Sequence, residues 1–338
     1  MKALVLQQPG EFQWAEKPHP GQPPAGYALL RIRHVSVCGT DLHAYKGRQP
    51  FFTYPRILGH EVAAEVVATG EAVKNVQPGD LVSIEPYRNP VEDQAVRRGK
   101  TNCGSQVTVL GVHEDGAMQE YILYPAANLH VVNGMHPDHV ALIEPFAIGC
   151  HAVERAAIVD GDTVLVIGAG PIGLAIIALA RLKGVKIAAL DINENRLQFA
   201  KKMFPEVETV LLKDTVVQDL QQAFSGELPT IVFDATGNKA SMERSFEFAA
   251  AGSTIVFVGL FVGDVVFPDP VFHRKEITLK ASRSATAADF KKVIGLFKAG
   301  LIPTEGYISH RIPFQDLADE FTGLYAPEAN VIKAIIDF

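Results

Sequence analysis

The spacing of apolar and polar positions divides the chain into two textures. In the first part, short alternating or β-branched runs at Ala28–Val37, Glu61–Ala68, Asp80–Ile84 and Met118–Leu123 are separated by Pro, Gly and Asn. Gly59, Gly70, Gly79 and Gly111 recur near the ends of these runs, as turns between short strands require. This pattern predicts an irregular, β-rich domain. Beyond residue 150 the strand-like runs Thr163–Ile167, Val185–Leu190, Thr209–Leu212, Thr230–Phe233 and Thr254–Val258 alternate with helical stretches. The first of these, Pro171–Lys183, has Pro near its start and apolar residues around most of its circumference, as expected of a buried helix. Strand–helix alternation predicts an α/β domain with a doubly wound parallel sheet. After Leu279 mixed elements return and end in the strand-like Val331–Phe338. The expected architecture is a catalytic domain built from residues 1–147 and 276–338, with a nucleotide domain, 148–275, inserted between them.

A length of 338 residues allows two separate cores. The net charge of -7 makes duplex nucleic acid a poor partner, and the cluster Arg97-Arg98-Gly99-Lys100 is short enough to be a solvated loop. Three cysteines, Cys38, Cys103 and Cys150, are too few and too odd a set for a disulfide framework, which points to a reducing compartment, the cytoplasm. Met1–Leu6 reads as a first strand and not a targeting segment, and the apolar window Ile172–Leu182 is too short for a bilayer. Neither nucleic acid nor membrane is expected as a partner.

Gly168-Ala-Gly170-Pro-Ile-Gly173 fits G-x-G-x-x-G. Alone the pattern is weak, and its bland alternative is a strand-to-helix turn with no ligand. Here it follows Val164–Ile167, opens an apolar helix, and is followed by Asp191 at the end of the next strand-like run, 23 residues after Gly168. That context is the one a dinucleotide site requires. Gly168 permits the tight turn, Gly170 lets the backbone approach a pyrophosphate, and Gly173 allows close helix–strand packing. Pro171 and Ile172 begin the helix whose N-terminus favours the phosphates. Asp191 suits the ribose hydroxyls and disfavours a 2′-phosphate, so NAD is expected over NADP, although Arg196 could make room for that phosphate. Thr236, Gly237, Val258, Gly259 and Leu260, at the ends of later strands, complete the candidate cofactor contacts.

Cys38 lies in Ser36-Val37-Cys38-Gly39-Thr40-Asp41-Leu42-His43, His60-Glu61 follows Gly59, and Glu144-Pro145 stands just before the nucleotide domain. Taken singly, a Cys among apolar residues is usually core and an isolated His or Glu is usually satisfied or exposed. No short spacing rule links residues so far apart. Together with Gly79-Asp80, Ile143-Glu144-Pro145 and the glycine fingerprint, however, these segments resemble the zinc-containing medium-chain dehydrogenases over nearly the whole chain. The resemblance implies a Rossmann sheet inserted in a GroES-like catalytic domain and one catalytic zinc. It implies Cys38 and His60 as ligands, Glu61 and Glu144 as carboxylates that bind the metal or exchange with its water, and Asp41 as the partner orienting His60. Thr40 and His43 would relay the proton, His43 being otherwise a surface imidazole. Glu144 stands where ethanol-type relatives carry a cysteine, a feature of the polyol branch. It further implies a homodimer or homotetramer.

The sequence departs from many relatives in one lobe. Where a second, structural zinc has four cysteines, this chain has Asn89, Glu92, Ala95 and Cys103, and one soft ligand cannot hold that ion. The structural zinc is therefore expected to be absent. Gln49–Glu61, Leu142–Ile148, Phe272–Glu276 and Ser282–Thr286 with Asp289-Phe290 look like the L-galactonate and L-gulonate 5-dehydrogenase subgroup, except at Ser284, where Asn is usual. The implied reaction is oxidation of a sugar-acid secondary alcohol by NAD to a keto-uronate. Arg283, and more weakly Arg56, are candidates for the substrate carboxylate. Arg283 could equally contact cofactor phosphates or stabilise a loop. Phe51, Phe52 and Tyr54 could wall the substrate site or be satellite core. The competing readings are a polyol (sorbitol-type) or L-threonine dehydrogenase and, from another class, a non-catalytic NAD(H)-binding protein.

Overall fold

The computed structural model describes residues 1–50, 52–326 and 329–338. The chain divides into two compact units, residues 1–144 with 285–338 and residues 145–284.

In the first unit, a seven-stranded sheet runs Leu129–Val131, Leu81–Ile84, Glu61–Thr69, Tyr27–Ser36, Lys333–Asp337, Ile308–Pro313, with Tyr121–Pro125 also paired to Tyr27–Ser36. Tyr27–Ser36 is the longest of these strands. Leu30, Ile32 and Val35 are buried in a core shared with Val62, Ala64, Val66, Val82, Ile84 and Ile336. The register matters most at one end. Ser36 faces Glu61 across one antiparallel ladder and Ile335 across the other. A smaller sheet pairs Lys2–Gln8 with Glu11–Glu16 and Arg56–Ile57. The opening run of the chain is thus a strand.

The second unit carries six parallel strands: Thr163–Ile167, Lys186–Asp191, Glu208–Leu211, Ile231–Asp234, Thr254–Phe257 and Thr278–Ala281. Numbered in chain order within this unit, they lie in the spatial order 3-2-1-4-5-6. That is the doubly wound arrangement with its switch point after the first strand. Leu165, Ile167, Leu190, Val232 and Ile255 form its buried core with Phe246 and Phe248.

The unit boundaries differ from the expected 148 and 275. The helix Ile143–Ala156 begins in the first unit, but its Gly149 packs against Ala175, where an added Cβ would stand 2.9 Å from the alanine Cβ. At the other end Thr278–Ala281 is the sixth strand of the sheet, so the unit continues to Ser284. Its largely exposed residues form no apolar run, which is why the pattern placed the end too early. The helix at Pro171 is α-helical only to Ala180. It tightens to a 3-10 turn over Arg181–Lys183 and stops at Gly184, whose φ is +72°. Among the described residues no helix is long and apolar enough to cross a membrane.

Gly173 is the tightest point of the glycine turn: a Cβ there would sit 1.7 Å from the Gly168 carbonyl oxygen. Gly173→Ala is expected to cost roughly 1–3 kcal/mol, lowering the thermal midpoint by several degrees. An unchanged midpoint would show that the turn relaxes freely.

Candidate active site

The sheet register converges on the end of Tyr27–Ser36. Cys38 follows that strand and caps the short helix Gly39–Tyr45, accepting the Thr40 N–H at 3.4 Å. Asp41, in the first turn of this helix, is 1% exposed. Its carboxylate accepts the Cys38 N–H at 2.9 Å and the Gly59 N–H at 3.2 Å, clamping the two loops that carry Cys38 and His60. Asp41 also lies 3.7 Å from His60 Nδ1, an ionic contact longer than a hydrogen bond. The expected orienting role thus acts mainly through the backbone.

Cys38, His60 and Glu61 each offer a ligand atom, and these atoms lie within 4.8 Å of one another. His60 Nδ1 is buried with no hydrogen-bond partner. Burial opposes charging of His60, but the charges of Cys38, Asp41 and Glu144 outweigh it and raise the imidazole well above its ordinary range. Glu144, in the first turn of Ile143–Ala156, is 4% exposed and accepts a hydrogen bond from the buried Tyr87 hydroxyl. Burial, reinforced by Glu61, pushes its carboxyl up to about 7, against the opposing pull of His60 and Tyr87. A half-buried thiol, a buried imidazole with an orphaned ring nitrogen and two buried carboxylates make a set rich in negative charge. The donor types suit zinc.

Part of the balancing positive charge comes from Lys333, which sequence reasoning missed. Its ammonium is bonded to Glu61 Oε1 at 2.8 Å and Oε2 at 2.7 Å, and to the Val37 carbonyl at 3.2 Å. Burial alone would lower its pKa; Glu61, then Cys38, reverse this and raise it. Ser36 also donates to Glu61. The sequence signal was available: a lone charge inside Val331-Ile-Lys-Ala-Ile-Ile336 must be paired if that strand is buried. Tyr87 was missed as well, since a tyrosine beside a turn carries no such signal.

A second group of ligand types, His34, Asp138 and Asp337, lies outside this site. Arg311 donates to both carboxylates, at 2.9 Å to Asp337, and so offsets part of their charge.

Other candidates are placed less decisively. Thr40 is half-buried, and His43 is exposed on the same short helix. Arg56 donates to Thr53 at 2.9 Å and lies 3.8 Å from Asp115. Phe52 and Tyr54 pack edge to face against each other and against the core, so the satellite-core alternative fits them. Phe51 lies outside the described residues. Arg283 is exposed in the second unit. Beside it Ser284 has φ +53°, a left-handed conformation in which Asn is favoured over Ser, so that departure concerns the turn's backbone. In the lobe without four cysteines, Asp93 accepts from Val96 N at 3.1 Å and Ser105 N at 2.6 Å, and Asn89 donates to Thr101 O at 3.2 Å.

In the second unit, Gly168 has φ +95° and ends the first parallel strand. Gly170, Pro171 and Ile172 are half-exposed at the helix start, and a Cβ on Gly170 would find only Arg196 Nη1, at 3.8 Å. This open helix N-terminus can seat a pyrophosphate. Asp191 accepts the Ala169 N–H at 2.7 Å and the Asn193 N–H at 2.8 Å, tying the glycine turn to the end of the second strand. Thr236 is anchored to Asp234 at 2.7 Å. Gly237 and Gly259 let two loops touch: a Cβ on Gly259 would lie 2.1 Å from Gly237 N. Val258 is half-buried and Leu260 exposed beside them.

Comparison with known proteins agrees with this anatomy. Residues 24–134 match the family profile of the alcohol dehydrogenase GroES-like domain, and residues 171–299 that of the zinc-binding dehydrogenases. L-galactonate-5-dehydrogenase of Escherichia coli (strain K12) is 41% identical over 344 residues, spanning 100% of this chain and 99% of that protein. D-xylulose reductase of Scheffersomyces stipitis is 31% identical, covering 91% of each chain. Among solved structures, the E. coli CFT073 alcohol dehydrogenase rspB complexed with NADH superposes with a TM-score of 0.92 at 28% identity, covering 100% of this chain and 99% of that one. A zinc-binding dehydrogenase of Sinorhizobium meliloti bound to NADP gives 0.92 at 26%, covering 100% and 99%. Such a full-length match, with the ligand cluster intact, overturns the non-catalytic alternative. The chain belongs to the zinc-containing medium-chain alcohol and polyol dehydrogenases, and is an oxidoreductase close to the L-galactonate-5-dehydrogenase branch.

Proposed function

We propose that this enzyme oxidises a secondary alcohol of an L-galactonate- or L-gulonate-like sugar acid with NAD, giving a keto-uronate. The observation that carries the reading is the Cys38–His60–Glu61 cluster, half-buried at Cys38 and buried at the other two, with Glu144 nearby in the sequence-predicted set, in a chain 41% identical over its full length to a protein named for L-galactonate. When bound, zinc supplies a Lewis acid that lowers the pKa of an alcohol, and NAD supplies the hydride acceptor. Cys38 and His60 would hold the metal, with Glu61 and Glu144 as the carboxylates that bind it or exchange with its water. Asp41 fixes the loops of Cys38 and His60 through their backbone. Thr40 takes the substrate proton and His43 passes it to water. The glycine turn binds the pyrophosphate, Asp191 the ribose hydroxyls, and Arg283 the substrate carboxylate. Arg196, reaching toward Gly170, is the residue through which NADP could gain entry.

One zinc per chain follows from Cys103 being alone in its lobe. Elemental analysis should find a single zinc. Cys38→Ser should lose zinc and turnover while still binding NADH; two tightly held zincs per chain would refute the assignment.

Partial burial, then the cations Arg48 and Lys46, lower the His43 pKa below its ordinary 6.5. Alcohol oxidation needs the neutral ring as proton acceptor. Therefore kcat/KM should rise with pH through the His43 pKa, with the midpoint of that limb below pH 6.5. Arg48→Gln removes a nearby cation and should move that limb to higher pH. His43→Ala should abolish the limb and lower kcat on the order of 100-fold. An unmoved limb in both variants would remove His43 from the relay.

NAD reduction measured with L-gulonate, L-galactonate, sorbitol and L-threonine at equal concentration should favour a sugar acid. Preference for sorbitol would assign the enzyme to the polyol reading, and turnover of threonine alone would refute the sugar-acid substrate.

A further inference from the structure

The helix Gly39–Tyr45, which carries Thr40, Asp41 and His43, has seven residues, too few to hold together unaided in water. Its last turn is fixed from outside, by donors that reach its carbonyls. Tyr325, at the end of the segment Phe321–Tyr325, donates its hydroxyl to the Leu42 carbonyl at 2.6 Å. Tyr54 donates to the Ala44 carbonyl, and the Gly10 N–H to the Tyr45 carbonyl at 2.8 Å. The Tyr325 ring makes a second contact with the same turn. The Lys46 ammonium, one residue past the helix end, lies 3.8 Å from the ring centroid, within the range of a cation–π attraction. Tyr45, stacked on Tyr325 at 5.8 Å, and Phe321, edge to face at 6.1 Å, hold the ring at the border of the core.

Lys46 follows His43 by three residues, a spacing that brings two side chains to one face of a helical turn. An exposed lysine left free samples many rotamers, and its charge is spread through solvent and screened. Seated on an aromatic ring, the ammonium keeps one place. The charged groups that bear on the His43 ring are Arg48 and Lys46. The segments packed against the helix present Tyr325 and Tyr54, whose phenols burial keeps protonated, and the Gly10 backbone. Partial burial first, then Arg48 and Lys46, hold the imidazole below its ordinary range.

We infer that Tyr325 is a positioning residue for proton transfer: its ring seats Lys46 near His43, and its hydroxyl fixes the turn that carries both. This rests on His43 being the outer member of the relay. A segment close to the end of the chain thereby sets the pH at which the relay ring becomes a proton acceptor. Releasing Lys46 removes a cation that disfavours imidazolium, so the ring should hold its proton to higher pH.

The test reads that ring directly. Proton NMR titration of the full-length, zinc-loaded enzyme gives the His43 pKa without turnover, the signal being identified by its loss in His43→Ala. Lys46→Met and Tyr325→Leu should each raise this pKa by a few tenths of a pH unit. Tyr325→Phe keeps the ring and should titrate as the parent. Adding Tyr325→Leu to Lys46→Met should give no further rise. In every variant the limb of kcat/KM should move with the NMR value. An unmoved His43 signal in a folded Tyr325→Leu protein would overturn the inference. So would an unmoved signal in Lys46→Met, even if Tyr325→Leu failed to fold, or equal rises in the Leu and Phe variants. A signal that moves while the kcat/KM limb stays in place would instead sink the relay reading beneath it.

Discussion

The active centre depends on the hydrogen-bond register of three strands. Because Ser36 lies opposite Glu61 on one side and Ile335 on the other, the end of Tyr27–Ser36 gathers Cys38, Glu61 and Lys333 from positions nearly three hundred residues apart in the chain. A slip of one residue in either ladder would turn the acid or the lysine to the opposite face of the sheet. The apolar core around Leu30, Ile32, Val35, Val62 and Ile336 is what makes such slips costly. Catalytic geometry and core packing are thus consequences of the same pairing.

That pairing creates a local conflict. A half-buried thiol stands beside a buried imidazole and three buried carboxylates, with a buried lysine to offset them, which is a poor arrangement for stability and a good one for capturing a cation. Burial first, then Glu61, raises the Glu144 carboxyl, and the buried His60 Nδ1 is left without a hydrogen-bond partner. Bound zinc would relieve this conflict, so metal binding and stability are expected to be linked. The nucleotide unit shows no comparable conflict. Its glycines at 168, 173, 237 and 259 solve steric problems, and its open helix start at Gly170 leaves room for an anion.

Much of this was legible in the sequence, for identifiable reasons. The strands of the nucleotide unit announce themselves because buried parallel strands are continuous apolar runs, as in Val164–Ile167. The last of them, Thr278–Ala281, was hidden because it lies at the edge of the sheet and is largely exposed. The candidate ligands Cys38, His60, Glu61 and Glu144 were visible only through family resemblance, since their spacing obeys no local rule. Lys333 left a signal, a charge in an apolar strand, but its partner could not be named without the register. Arg56, in a promising segment, is hydrogen-bonded to Thr53 and in ionic contact with Asp115, partners that no sequence pattern foretold.

The central claim, one zinc held by a single sulfur with nitrogen and oxygen donors, is tested most directly by zinc-edge X-ray absorption on the purified enzyme. The account predicts one sulfur scatterer at about 2.3 Å, the remainder of the shell being light atoms at about 2.0–2.2 Å. A shell with two or more sulfurs per zinc, or with none, would contradict it.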